Sequence, residues 1–289
     1  MPYPELPRHT VDALGIETSY YTAGRPDREA VVLLHGMSTS GDSFRELMHA
    51  LAQDHYLIAP DLPGFGYTEN TAPYVIPHLV EWLAAFFEAL ELHPAHLIGH
   101  SFSGLLAPSF ALSYPQDVRS LTLLAPAILI TESYPDWVLR LSKSGISESV
   151  LGIGVNASRV LIQRHVRAPF YDPARMDDSV WERRLGDYER ARASAAVLRA
   201  VALYDIRPRL AQLGQPTCVI WGVQDSVVNP AGASRLGKML PRAEVHMIEA
   251  CGHVPQIEQE IQVAEITGRF LANGYHHLER PPARNGAVA

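Results

Sequence analysis

Three residues of types that cooperate in acyl transfer stand where apolar runs break off. They are Ser101 in "GHSFSG", Asp225 in "WGVQDSVV" and His253 in "CGHVPQIE". A serine hydroxyl attacks a carbonyl carbon only when a base takes its proton, and histidine does this best when a carboxylate holds its tautomer. The chain has 13 histidines, so placement must select among them. His253 follows the last strand-like run and precedes the last helical one, at the sheet edge where open α/β sheets bind ligands. Asp225 follows the penultimate run, whereas Asp205 precedes it, at the wrong end. Asp61, set among prolines and glycines in "APDLPGFG", is expected to brace its loop.

Around Ser101 the neighbours are small: Gly99 two residues before, Ser103 and Gly104 just after. A tight strand-to-helix turn that lifts a serine out of the backbone needs such residues. Ser103 stands where the G-x-S-x-G pattern has glycine, and Pro108 should bend the following helix. Charge developing on a carbonyl oxygen needs preorganised donors. The backbone N–H groups of Phe102 and Met37 are the expected pair, with Ser38 as a fallback. His35 is expected to shape its loop, and His100 to point away from Ser101 by strand alternation.

These residues need elements to hold them. Short runs with strand length and turn-forming ends occur at 30–36, 56–61, 95–100, 120–126, 217–222 and 243–249. They are continuously apolar, as in parallel strands covered on both faces. Segment 10–23 alternates and carries Gly15, which predicts an antiparallel edge hairpin. Helical spacing appears in Phe44, Leu47, Met48 and Leu51, opened by a Ser43–Glu46 capping box. It recurs in Leu79, Leu83, Phe86, Phe87 and Leu90, and in Val263, Ile266 and Phe270. Strand alternating with helix implies a mostly parallel sheet with right-handed crossovers. The rhythm stops between 127 and 208, which predicts a helical cap. The sheet domain then comprises 1–126 and 209–275, and 276–289 is expected to fray.

Hydrophobic residues make up 47% of the 289, too many for a disordered chain. The net charge of −7 gives no footprint for nucleic acid. No apolar run approaches the roughly 18 residues of a membrane span. The two cysteines, Cys218 and Cys251, form no CxxC and have no histidine at zinc-finger spacing, so neither a disulfide framework nor a structural metal is expected. No secretory leader is visible, and the expected location is cytoplasmic.

The segments "HGM", "PDLPGFG", "GHSFSG", "WGVQDSVV" and "CGHVPQIE", in that order, resemble the α/β-hydrolase fold family over residues 10–274. The resemblance implies an eight-stranded sheet with a cap after the sixth strand and a Ser-Asp-His hydrolase. Serine at the nucleophile position sets it apart from dehalogenase and epoxide hydrolase relatives, which use aspartate there. Meta-cleavage product hydrolases are similar, but often carry asparagine and tryptophan where this chain has His100 and Val254. Cofactor-free haloperoxidases, which act as esterases, also resemble it.

The expected activity is hydrolysis of small-molecule carboxylic esters through an acyl-enzyme, requiring no metal or organic cofactor. Carbon–carbon or lactone hydrolysis by the same triad is the alternative, and a ligand-binding receptor on this fold is a third reading. A homodimer is compatible with each. Tyr134, Trp137 and Trp181 are candidates to line the substrate pocket. Arg164, Arg167, Arg183 and Arg184 are expected mainly to form a solvated helical face. "GASRLGKM" (232–239) mimics a phosphate loop, but Met239 stands where serine or threonine is needed.

Overall fold

The computed structural model describes residues 3–143, 159–274 and 278. Eight strands form one sheet: β1 (Arg8–Ala13), β2 (Ile16–Ala23), β3 (Ala30–Leu34), β4 (Tyr56–Pro60), β5 (Ala95–His100), β6 (Val118–Leu124), β7 (Thr217–Gly222) and β8 (Ala243–Ile248). Their spatial order is β1-β2-β4-β3-β5-β6-β7-β8. The first two form the antiparallel hairpin predicted from alternation, and β2 meets β4 antiparallel. Every pair from β4 to β8 is parallel.

The continuous apolar runs have a direct structural reason. Val32 and Leu34 enter one core and Val31 and Leu33 the other, because successive strand residues point to opposite faces. On the first face lie α2 (Ile76–Ala89) and α3 (Ser103–Ser113). Trp82, Leu83, Phe86 and Phe110 are fully buried there. On the second lie α1 (Arg45–Leu51) and a C-terminal helix, Glu260–Arg269. Leu47, Met48 and Val263 are buried against this face. Each such side chain contributes about 1.5–3 kcal/mol by leaving water. The helix α3 stays continuous through Pro108.

Two expectations change. No capping box opens α1: Ser43 lies in the preceding 3-10 turn, Gly41–Phe44, and its hydroxyl is buried without a partner. Glu46 is buried and pairs instead with an arginine of another segment, described below. The strand β8 is an edge strand, half-exposed along most of its length rather than covered on both faces.

Between β6 and β7 the described residues contain helices and turns but no strand. The helices are α4 (Asp136–Lys143), α5 (Arg159–Arg167), α6 (Asp178–Arg190) and α7 (Ser194–Leu203). After β7 come α8 (Ala233–Met239), α9 (Pro255–Glu258) and α10 (Glu260–Arg269). The phosphate-loop mimic falls on α8, where a side chain at Gly237 would run into Val245. The expected frayed tail, 276–289, lies outside the described residues except for Leu278. So does 144–158 of the region expected to form a cap.

Candidate active site

The sheet order reverses direction between β3 and β5, which opens a crevice at their C-terminal ends. Ser101 follows β5 there, with φ 51°, a left-handed conformation that costs a non-glycine residue energy. The turn holds because the chain can close around it. A Cβ on Gly99 would lie 2.3 Å from the Ser103 carbonyl oxygen, and one on Gly36 would lie 2.8 Å from His100 Nδ1. The Ser101 N–H donates to the Leu124 carbonyl at 2.9 Å, and its own carbonyl accepts from Gly104 and Ala127 N–H, both at 2.9 Å. Ser103, where the pattern has glycine, uses its hydroxyl: it donates to the His35 carbonyl at 2.6 Å and ties the turn to the loop after β3.

The structure brings Ser101, His253 and Asp225 together. His253 Nδ1 is 2.8 Å from Asp225 Oδ2, and His253 Nε2 is 2.8 Å from Ser101 Oγ. The carboxylate only accepts, so Nδ1 carries the proton and Nε2 accepts the serine hydroxyl. Asp225 Oδ2 also accepts from Trp221 Nε1–H at 2.9 Å, while Oδ1 accepts the N–H groups of Val227 at 2.8 Å and Val228 at 3.0 Å. Four donors thus fix one carboxylate. Asp225 and His253 are buried, and Ser101 is half-buried.

Met37 follows β3 and Gly36, and Phe102 heads α3. Neither N–H donates to another described residue. A family model described as the alpha/beta hydrolase fold matches residues 29–260. The chain belongs to the alpha/beta hydrolase fold family.

Monoacylglycerol lipase ABHD6 of Homo sapiens is 28% identical over 266 residues, covering 88% of this chain and 79% of that protein. The 2-hydroxymuconate semialdehyde hydrolase of Pseudomonas sp. strain CF600 is 29% identical over 284 residues, covering 93% and 95%. Among solved structures, a thermophilic esterase from Thermogutta terrifontis superposes with a TM-score of 0.79 at 20% identity, covering 93% of this chain and 99% of that one.

In this alpha/beta hydrolase several residues beyond the three catalytic ones support the site. Glu258, on α9, accepts the N–H groups of Gly252 at 3.0 Å and Val254 at 3.1 Å on one oxygen, and that of Tyr171 at 2.7 Å on the other. The His253 N–H donates to the Pro169 carbonyl at 2.8 Å. The histidine loop is therefore sewn to the segment between α5 and α6. Burial pushes the Glu258 carboxyl above the usual carboxylate range, against three N–H groups that pull it down. Glu258 and Trp221 stand inside the segments "CGHVPQIE" and "WGVQDSVV" with no catalytic pattern of their own to mark them. Only their nearness to His253 and Asp225 in sequence could have drawn attention to them.

His100 was expected only to turn away from Ser101. It braces the histidine loop, donating from Nε2 to the His253 carbonyl at 2.9 Å, with ring centroids 5.2 Å apart. Burial, then the neighbouring His253, hold it well below the usual histidine range, so it stays neutral. His35 shapes its loop as expected. Its Nδ1 bonds the Gly36 carbonyl at 2.7 Å, and its Nε2 accepts the Leu62 N–H at 2.9 Å. Burial lowers its pKa to about 4. Asp61 braces its loop by accepting the Gly41 and Tyr67 N–H groups at 2.8 and 2.9 Å.

The arginines divide. Arg164 and Arg167 are exposed, with Arg167 stacked over the Trp181 ring at 4.9 Å. Arg183 and Arg184 are not on a solvated face. Arg183 pairs with Glu46 and Asp42, and buried Arg184 lies 3.4 Å from Asp187. Their side of α6 seats on the core, and charge rather than apolar area meets it there. Of the candidate pocket aromatics, Trp181 is buried with Phe170, Val254 and Ile257 beside the histidine loop. Tyr134 is half-exposed and within electrostatic reach of Asp225. Trp137 is 68% exposed.

Proposed function

We propose that this protein hydrolyses carboxylic esters of modest size through an acyl-enzyme on Ser101. The observation that carries the reading is the unbroken relay from Asp225 through His253 to Ser101, with both contacts at 2.8 Å. As Ser101 Oγ attacks the ester carbonyl, its proton passes to His253 Nε2. Asp225 stabilises the resulting imidazolium. The oxyanion is received by the N–H groups of Phe102 and Met37, each such donor being worth roughly 3 kcal/mol in the transition state. His253 returns the proton to the leaving alkoxide, then activates the water that frees the acid. The helices between β6 and β7 act as a cap, with Tyr134, Trp137 and Trp181 as its candidate pocket residues. Two buried free thiols suit a reducing compartment, and we place the enzyme in the cytoplasm.

Turnover of short-chain p-nitrophenyl esters by wild type and Ser101→Ala tests this. The variant should lose about a million-fold in kcat while keeping its fold. Equal turnover would overturn the assignment. A second reading, carbon–carbon bond hydrolysis by the same three residues, is favoured by the relative named 2-hydroxymuconate semialdehyde hydrolase. Turnover of a vinylogous diketone without turnover of simple esters would make it the first.

A further inference from the structure

The edge of the sheet farthest from the hairpin carries a group of residues that the ester chemistry does not use. Strand register sets Cys218 of β7 directly across from Glu244 of β8, and Ile220 across from His246. Side chains two apart on a strand share a face, so Glu244 and His246 project on the same side as Cys218. One potential ligand atom from each of the three lies within 4.8 Å of the others. His246 Nε2 is 2.9 Å from Glu244 Oε1, and the Cys218 thiol hydrogen-bonds the same carboxylate. Spacing along the sequence hides this group, since Glu244 lies 26 positions after Cys218.

We infer that Cys218, Glu244 and His246 form a three-ligand site for a borderline divalent cation of the zinc type, which clamps the edge strand β8 to β7. Thiolate and imidazole select such an ion over magnesium or calcium, which prefer all-oxygen shells. Thiolate and carboxylate together neutralise its two charges. A tetrahedral site requires ligand atoms roughly 3.5 Å apart for bonds of about 2.0–2.3 Å, leaving a fourth position to water. The separations here close to that value by turning the half-exposed Glu244 and His246 out of their mutual hydrogen bond. Those two side chains also provide the way in, because β8 is the sheet's edge. Cys218 itself is buried.

Binding replaces the Cys218 S–H bond with a metal–sulfur bond and releases that proton to water. His246 ligates through Nε2 as a neutral ring with its proton on Nδ1. Without the ion, burial and then Glu244 push the thiol well above its usual range, while Arg269 pulls the other way. The clamp acts at a distance from the ester site but on the same strands. Asp225 lies three residues beyond the end of β7, and His253 lies five beyond the end of β8.

Titration of the purified full chain with cobalt(II) chloride, and separately with zinc chloride, tests the site. Cobalt should bind one per chain and produce thiolate-to-cobalt charge-transfer absorption. Zinc should compete for it and raise the melting temperature. Cys218→Ala should abolish the absorption, Cys251→Ala should keep it, and His246→Gln should weaken cobalt binding at least about 10-fold. His246 is half-exposed, so that variant keeps its fold if Cys218→Ala does not. No charge-transfer absorption in wild type, or absorption that survives Cys218→Ala, would overturn the site. The three residues would then be a hydrogen-bonded polar group on an edge strand.

Discussion

Around Ser101 the chain approaches itself through glycines and neutral hydrogen bonds, whereas α6 reaches the core through buried ion pairs. Gly99 lets two backbone segments close, and Gly36 lets the His100 ring approach, to distances no side chain would allow, and Ser103 fastens one turn to the next. On the other side, Arg183 of α6 faces Asp42 and Glu46 across the seat of the insertion, while Asp187 pairs with Arg184 and Arg190 within α6 itself. Steric closure fixes positions with little dependence on pH or salt. Buried charge holds only while each partner stays ionised, and the loss of one partner is costly. The turn that presents the nucleophile is thus built from the first kind of contact. The segment above it is held by the second.

The largest test within this comparison is Asp225→Asn. An amide at that position would set its NH2 group against the donors of Trp221 and His253, or leave Val227 and Val228 without an acceptor. In the first orientation His253 loses the acceptor that fixes its tautomer, and in the second the neutral amide no longer stabilises the imidazolium. We expect kcat on esters to fall about 10,000-fold while circular dichroism stays native. A folded variant that loses less than about 10-fold would show that closure alone orients His253, with the carboxylate unnecessary.

Next in size is Arg184→Met, on the insertion side. Removing one partner of a buried pair leaves Asp187 with Arg190 alone, at 3.3 Å. A loss of about 3 kcal/mol in unfolding free energy is expected, at the low end for a broken buried pair because that second arginine remains. The double variant Arg184→Met/Asp187→Leu should recover most of it. Wild-type stability in the single variant would mean that the buried charge of α6 contributes nothing to its stability, and the contrast between the two regions would fail.

The contrast also explains what could be read without coordinates. Ser101, Asp225 and His253 each sit just past a strand, beside small residues that signal a sharp turn, so local pattern was enough to nominate them. The six parallel strands and the edge hairpin were legible for the same reason: apolar runs with turn residues at their ends record burial directly. What escaped depends on where separate segments meet. Ser43 and Glu46 have capping-box spacing, but Arg183 lies 137 residues away and takes the glutamate. Arg183 and Arg184 look like a solvated face until α6 is laid on the core. His100 follows the alternation of its strand, yet its partner is a carbonyl 153 residues further on. Cys218 has no histidine at zinc-finger spacing, and finds one through strand register.

The smallest predicted effect is in pH dependence, and Asp61 is the residue to change. Burial, joined by a smaller push from Asp187, raises its carboxyl from 3.8 to about 7 against the Tyr67 and Gly41 N–H groups. A folded state that holds its proton more tightly than the unfolded chain loses stability as pH rises. From this group the loss starts near the unfolded value, proceeds up to about 7, and levels off above. Urea unfolding free energies should therefore drop by about 2 kcal/mol between about pH 5 and about pH 7 on its account. Asp187, also raised by burial, adds to the same slope. Asp61→Asn cannot titrate and should show a shallower slope over that interval, while its ester turnover keeps the wild-type pH profile. An unchanged slope would mean that Asp61 stays ionised on its two N–H donors throughout. In that case Asp187, whose carboxyl burial also raises, would be left to carry the slope over that interval.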